Sequence, residues 1–184
     1  MNRIRACLVG CGRISELHTL GYKDNPDAEI YAVCDSNYKK ARKAAKKWGV
    51  ERIYRNYNDV LEDPMVDLIE LLVPHHLHCE MTIQACRAGK HISVQKPMAL
   101  DLKEADLMIE AAEKAGVKLK VYENFIFYPP YIKARELLEK GEIGTPISIR
   151  IKLNPSGKGG WEIPLSSWVW RMQDKKSGSL HWLY

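Results

Sequence analysis

The stretch RIRACLVGCGRIS, residues 3–15, indicates the fold class of this chain. Residues 3–9 form a mostly apolar run, Gly10-Cys11-Gly12 follows at once, and helical sequence begins after Ser15. A strand that passes through a tight glycine turn into a helix is typical of the first unit of an α/β domain. The stretch therefore predicts a buried first strand with a helix packed against its sheet.

The rest of the first two thirds repeats this order of strand and helix. Residues 68–73, like residues 3–9, form an apolar run that lacks strict alternation, which predicts a strand covered on both faces. Further strands are predicted at residues 28–35, 52–54, 90–95 and 117–122. Helices are predicted from Ser36 to about Trp48, from His78 to Ala88, and from Asp101, with Glu104 completing a capping box, to Gly116. Such βαβ units with right-handed crossovers predict a doubly wound parallel sheet.

The pattern changes near residue 125. A short helix is predicted over residues 132–140, and residues 145–153, TPISIRIKL, alternate cleanly between apolar and polar side chains. That alternation is typical of a half-exposed antiparallel strand. The tail that follows is loop-like and holds four of the five tryptophans, Trp161, Trp168, Trp170 and Trp182. We therefore expect a complete α/β domain over residues 1–124 and the incomplete beginning of an α+β domain over residues 125–184.

Composition excludes several classes of protein. The chain has 184 residues with 46% hydrophobic and 28% charged residues, as in an ordinary globular protein. No apolar run approaches the roughly 18 residues of a membrane span. The five cysteines lack zinc-like or redox-pair spacing, which favours reduced thiols and the cytoplasm. The net charge of +5 is concentrated between Lys39 and Lys47, where we expect a solvated helix face rather than a nucleic-acid site.

The glycine turn and a later aspartate together suggest a dinucleotide site. Gly10 permits the tight turn, Gly12 leaves room for a pyrophosphate, and the backbone from Arg13 and Ile14 onward offers N–H groups at the start of a helix. Asp35 lies 25 positions after Gly10, at the end of the second predicted strand, and can accept hydrogen bonds from ribose hydroxyls. A carboxylate there would repel a 2′-phosphate, so NAD is predicted over NADP. The alternative is a glycine turn and a surface aspartate in some other α/β protein.

A histidine-rich segment follows the strand at residues 68–73. Val73-Pro74 leads into His75, His76 and His78, with Cys79 next to them. This set offers no fitting carboxylate or further thiolate, so no metal site is predicted. We expect His78 instead to orient the start of its helix beside the cofactor.

A lysine follows the strand at residues 90–95, within Gln95-Lys96-Pro97. Ligands bind doubly wound sheets at the carboxyl ends of the strands, where Lys96 stands. Its ammonium group can place positive charge beside a nicotinamide and a substrate hydroxyl and favour the developing alkoxide. A solvent-exposed lysine at a turn is the alternative interpretation.

The order of these parts resembles the Gfo/Idh/MocA oxidoreductase family. The resemblance is carried by GCGRIS at 10–15, Asp35, VPHHLHCEMTIQACRAGKHISVQKPMAL at 73–100 and GVKLKVYENFIFYPPY at 116–131. It implies a Rossmann domain followed by an α+β domain whose open antiparallel sheet forms the substrate floor and often an oligomer interface. It also implies NAD(P)-dependent oxidation or reduction of sugars, cyclitols or related polyols, and hence a polyol or sugar substrate and a homo-oligomer.

By the same resemblance, Lys96 is the catalytic lysine, contacting cofactor ribose and substrate. The predicted cofactor contacts are Gly10, Gly12, Arg13, Ile14, Asp35, Pro74, His78, Gln95 and Lys96. Three features depart from the family pattern. Gln95 replaces the usual glutamate, and Ile126-Phe127 stands where many members carry an arginine. After Trp170-Arg171, no histidine matches the position of the family's catalytic base, since His181 follows Gly178 too closely.

Three functions remain open from the sequence. The first is a dinucleotide-dependent oxidoreductase, of which we expect the isolated chain to bind cofactor without full turnover. The second is a non-catalytic dinucleotide-binding or regulatory protein, with which Gln95 and the missing base agree equally well. The third is a methyltransferase that holds an adenosyl cofactor with the glycine turn and Asp35, although it gives no role to the Gln-Lys-Pro segment.

Overall fold

A computed structural model describes residues 3–152 of the chain. Residues up to Tyr122 belong to one compact unit, and a second unit begins at Glu123. The first unit is built on a six-stranded sheet whose strands are β1 (Ile4–Val9), β2 (Ala28–Cys34), β3 (Arg52–Tyr54), β4 (Leu68–Leu71), β5 (His91–Gln95) and β6 (Leu119–Tyr122). Their order is β3-β2-β1-β4-β5-β6, and every neighbouring pair is parallel. The predicted doubly wound parallel sheet is therefore confirmed.

The helices of the first unit are α1 (Ser15–His18), α2 (Tyr38–Trp48), α3 (Tyr57–Glu62), α4 (His78–Arg87) and α5 (Leu102–Ala115). Short 3-10 segments, Thr19–Gly21 and His75–Leu77, follow α1 and precede α4. The helix that follows the glycine turn is thus a single α-helical turn, and α3 is an element that the sequence did not predict.

Capping side chains explain where α2 and α5 begin. The side chain of Asn37, rather than the predicted Ser36, accepts from the backbone N–H groups of Lys39 and Lys40. At α5, Asp101 accepts from the N–H of Glu104 as predicted, at 2.8 Å. These side chains satisfy N–H groups that a helix start leaves without partners.

Both faces of the sheet are covered. One face carries the larger core cluster, formed by Cys7, Val9, Ile69, Leu71, Ile92 and Val94 with Cys86 of α4 and Met108 of α5. The other face buries Ala6, Leu8 and Leu72 against Ile14, Tyr22 and Trp48. Burial from both sides is the reason why the sequences of β1 and β4 lack strict alternation. The basic side chains of α2 are exposed, as expected, and all five cysteines are unpaired.

The second unit contains a 3-10 segment, Asn124–Phe127, and α6 (Pro129–Glu139). The helix begins earlier than predicted because proline, at its first position, fits a helix start. The antiparallel strand predicted over residues 145–153 is not formed in the described residues 145–152, where Ile147 is 99% exposed. A strand needs a neighbour for its backbone hydrogen bonds, and no described segment supplies one here. Leu153 and the tryptophan-rich tail, which was predicted to be loop-like, lie outside the described residues.

No helix within residues 3–152 combines the length and the apolar character needed to cross a membrane.

Candidate functional site

The candidate site lies at the edge of the sheet where β1, β2, β4 and β5 end. Gly10 follows β1, Asp35 follows β2, and Lys96 follows β5. The strand order reverses between β1 and β4, so the connections from these two strands leave on opposite sides of the sheet. Open α/β sheets bind ligands in the crevice at such a reversal.

Gly10 occupies a position that requires glycine. Its φ angle is +102°, and its N–H donates to the carbonyl oxygen of Cys34 at 2.8 Å. A Cβ atom at this position would lie 2.8 Å from the carbonyl carbon of Leu72 and closer still to its oxygen. The end of β1 is therefore held tightly between β2 and the segment that follows β4.

The turn after Gly10 presents open backbone. Gly12 is exposed, and no atom lies within 4 Å of where its Cβ would be. The hydroxyl of Ser15, which is fully buried, donates to the carbonyl oxygen of Gly12 at 2.5 Å and closes the turn. The side chain of Ile14 packs into the core, whereas Arg13 is exposed. The space over Gly12 is thus available to a ligand group.

Asp35 fastens the glycine turn to the end of β2. Its carboxylate accepts the N–H of Cys11 at 2.9 Å and the N–H of Asn37 at 2.8 Å, one on each oxygen. Each oxygen keeps lone-pair capacity for a further donor, because a carboxylate has about four acceptor sites. Burial, together with the charge of Asp35, raises the pKa of the Cys11 thiol to about 12, so this thiol stays protonated at neutral pH.

His78 connects two loops at the edge. It is fully buried, with Nδ1 2.9 Å from the carbonyl oxygen of Pro97 and Nε2 2.9 Å from that of Val73. Burial lowers the pKa of His78, while its backbone contacts oppose the shift. A neutral ring donates to one of these carbonyl oxygens and lies against the other, so a direct cofactor contact would displace one of them. His78 thus joins the segment that follows β4, which includes Pro74, to the loop that follows β5.

Gln95 contacts both the neighbouring lysine and a distant histidine. Its Oε1 accepts the backbone N–H of Lys96 at 2.8 Å, and its Nε2 lies 2.8 Å from Nε2 of His18. The Lys96–Pro97 peptide bond is cis, and the side chain of Lys96 is partly exposed.

A buried polar cluster beneath this edge was missed from the sequence. Glu70 of β4 has no exposed surface; its carboxylate bonds to Nδ1 of His18 and accepts from the hydroxyl of Tyr22 at 2.5 Å. The ring of Tyr122 packs edge-on against His18. Burial and the charge of Glu70 raise the pKa of Tyr122 to about 12 and also raise the pKa of Tyr22. The available signal was a single glutamate inside the apolar run LIELLV.

The described residues contain no group of three or more His, Cys, Asp or Glu side chains placed to hold a metal ion. The residues compared above with the catalytic segment of the family lie outside the described residues; they are Trp170, Arg171, Gly178 and His181.

Comparison with known proteins gives several matches. D-apiose dehydrogenase of Paraburkholderia graminis is 35% identical over 151 residues, which cover 82% of this chain and 40% of that protein. Myo-inositol 2-dehydrogenase of Thermotoga maritima is 35% identical over 148 residues, covering 80% of this chain and 44% of that protein. The chain therefore spans less than half the length of these relatives.

A solved structure agrees in fold. The WlbA dehydrogenase from Bordetella pertussis, crystallised in complex with NADH and UDP-GlcNAcA, has a TM-score of 0.74 and 30% sequence identity. The match covers 78% of this chain and 44% of that chain. Residues 4–123 also match the model of an oxidoreductase family with an NAD-binding Rossmann fold. With well over half of its length matched and with the glycine turn and sheet order of such a fold, the chain belongs to the Gfo/Idh/MocA oxidoreductase family.

Proposed function

We propose that this chain forms the cofactor-binding part of an NAD-dependent oxidoreductase that acts on a sugar, a cyclitol or a related polyol. One observation carries the proposal: the open backbone at Gly12, the carboxylate of Asp35 and the amine of Lys96 all follow strands that end at the same sheet edge. The named activities of the apiose and inositol dehydrogenases support the polyol class.

The diphosphate of the cofactor fits over Gly12. The exposed backbone of the turn has space above it, and any side chain at Gly12 would project into that space. Backbone N–H groups around a glycine turn are suitable donors for phosphate oxygens. Because Ser15 and Asp35 already hold this turn from two sides, we propose that it is formed before the cofactor binds.

Asp35 is proposed to hold the adenosine ribose. Its remaining lone pairs can accept hydrogen bonds from the 2′- and 3′-hydroxyls. A 2′-phosphate at the same place would bring its own negative charge against the carboxylate. We therefore propose that NAD is preferred over NADP.

Lys96 is proposed to act at the reacting end. When bound, the nicotinamide group of the cofactor supplies the site of hydride transfer. Oxidation of a carbinol removes a hydride from carbon and a proton from oxygen, so negative charge develops on that oxygen. The ammonium group of Lys96 stabilises this charge, and electrostatic stabilisation of developing charge is usually the largest single contribution to catalysis. Gln95 and His78 hold the backbone on either side of this lysine.

A homo-oligomer in the cytoplasm is part of the same proposal. The family resemblance supports the oligomer, and the five unpaired cysteines support a reducing compartment. We propose no nucleic-acid partner, because the basic side chains of α2 form a solvated helix face in which Lys47 pairs with Glu16.

Titration of the protein with NADH, followed by fluorescence, tests the proposed cofactor. Binding of NADH is expected, and binding of S-adenosylmethionine is not; the reverse would favour the methyltransferase. A panel of polyols with NAD then separates the two remaining functions. Turnover of any polyol supports the oxidoreductase, whereas NADH binding without turnover in the panel favours the dinucleotide-binding protein.

Lys96→Ala is expected to raise the Kd for NADH about tenfold, because one charged hydrogen-bond donor to the cofactor is lost. Fluorescence titration measures this change. Lys118→Ala is the matched control: it also removes a lysine next to a strand, but at the opposite edge, directly before β6. If both variants bind NADH as the unsubstituted protein does, Lys96 does not contact the cofactor.

A further inference from the structure

The buried cluster beneath the candidate site forms a continuous chain of hydrogen bonds that ends at Lys96. It runs from the carboxylate of Glu70 to the ring of His18, then to the amide of Gln95, and then to the backbone N–H of Lys96. We call these four residues the Glu70 relay. Glu70 is fully buried, and the side chain of His18 is 11% exposed.

The two ends of the relay determine its direction. The backbone N–H of Lys96 can only donate, so the atom of Gln95 that lies 2.8 Å from it must be the amide oxygen. The amide nitrogen of Gln95 then faces Nε2 of His18 at 2.8 Å. Because that nitrogen can only donate, Nε2 of His18 must be unprotonated and accept.

The position of the remaining ring proton follows. A neutral imidazole carries one N–H group, which in His18 must be at Nδ1, where it donates to the carboxylate of Glu70. If Nε2 of His18 carried a proton, two donors would face each other, and turning the amide of Gln95 would set its NH₂ group against the N–H of Lys96. The carboxylate of Glu70 thus fixes the ring proton of His18 on Nδ1 and, through it, the orientation of the Gln95 amide towards Lys96.

The location of Glu70 makes its charged side chain energetically costly. It lies in the middle of a central strand, between Ile69 and Leu71, which are core residues. Moving a carboxylate from water into the protein interior costs free energy, and an apolar side chain of similar volume would avoid that cost. Tyr22 donates to its second oxygen, so each oxygen of the buried carboxylate has a hydrogen-bond partner.

We propose that Glu70 and His18 are positioning residues for Lys96, acting through Gln95 to fix the backbone from which the lysine extends. The assignment of Lys96 to the cofactor rests on the proposed function. The relay itself rests on the hydrogen bonds and their obligatory donors and acceptors. A carboxylate buried in β4 therefore determines where the lysine at the end of β5 stands when the cofactor arrives.

Nitrogen-15 NMR of the histidine rings tests the direction of the relay in the unsubstituted protein. We expect the ring proton of His18 on Nδ1 and none on Nε2. A proton on Nε2, in a neutral or a charged ring, would overturn the proposal.

His18→Asn tests the effect on Lys96. The asparagine amide can take the place of Nδ1 and donate to Glu70, but it does not extend to Gln95. We expect the Kd for NADH to rise about fivefold, approaching the effect expected for Lys96→Ala. Tyr22→Phe is the matched control, because it removes a hydrogen bond to the same carboxylate and leaves the relay intact; its Kd should stay within about twofold of the original.

Acetylation of Lys96, quantified by mass spectrometry at saturating NADH, distinguishes positioning from a purely structural role. NADH should protect Lys96 in the unsubstituted protein and in Tyr22→Phe, and should protect it clearly less in His18→Asn. Equal protection and equal Kd in His18→Asn and the unsubstituted protein would overturn the relay. If the unsubstituted protein does not bind NADH, the proposed function fails instead, and the ring NMR still decides the relay.

Discussion

Gly10→Ala is expected to lower the free energy of unfolding by about 3 kcal/mol or more, and to abolish NADH binding at temperatures near the unfolding transition. The backbone at Gly10 has a φ of +102°, which an alanine adopts only with strain. Its Cβ would also overlap the carbonyl group of Leu72, whose N–H is bonded to Val9. Neither Gly10 nor Leu72 can move easily, because they directly follow β1 and β4, the central pair of strands.

Gly12→Ala is the control for this substitution. Gly12 has open space around its Cβ position, so its free energy of unfolding should change by less than about 1 kcal/mol. Its new methyl group would nevertheless occupy the space proposed for the diphosphate, so NADH affinity should fall. Urea unfolding followed by circular dichroism measures the first effect, and fluorescence titration the second. A Gly10→Ala protein as stable as the original would show that this turn can relax.

The sheet, the glycine turn and Asp35 were predictable because they depend on local sequence. Strands covered on both faces leave continuous apolar runs, and helices leave capping residues such as Asp101 at their starts. The glycine turn and Asp35 were found for a related reason, since their spacing follows from the length of one βαβ unit. The topology then brings Gly10, Asp35 and Lys96 to the same edge without any long-range information.

The Glu70 relay was not predictable in the same way, because its members come from three separate elements, α1, β4 and the end of β5. Residues 18, 70 and 95 are far apart in the chain, and each alone has a less specific interpretation. The start of α2 at Asn37 instead of Ser36 depends on which side chain meets the free N–H groups. The prediction of a strand over residues 145–153 was wrong for the described residues 145–152, also for a physical reason. Alternation shows that one face of a segment can be buried, but it does not supply a partner strand.

Asp35→Ala should weaken NADH binding about 100-fold, which corresponds to about 2.7 kcal/mol. The loss has two sources. The variant lacks the acceptor proposed for the ribose hydroxyls, and hydrogen bonds to a charged group each contribute about 1.5–3 kcal/mol. It also frees the N–H groups of Cys11 and Asn37, so the glycine turn is no longer held in the conformation that the cofactor needs.

Comparing the losses of affinity for NADH and for NADPH separates these two causes. Loosening of the turn weakens NADH and NADPH alike, whereas loss of the carboxylate also removes the repulsion of a 2′-phosphate. NADPH binding should therefore fall by about tenfold or less in Asp35→Ala, and the preference for NADH should narrow. Equal losses for the two cofactors would mean that Asp35 supports the turn without contacting the ribose.

Asp67→Ala is the matched control for the structural part of this prediction. Asp67 also accepts a backbone N–H, that of Arg5 at 2.9 Å, and pairs with the same arginine's side chain, but it lies at the opposite edge of the sheet. Its removal should lower stability and leave the affinities for NADH and NADPH within about twofold of the original. A protein that loses affinity through Asp35 but not through Asp67 binds its dinucleotide at the carboxyl edge, because only there does a carboxylate serve both the turn and the ligand.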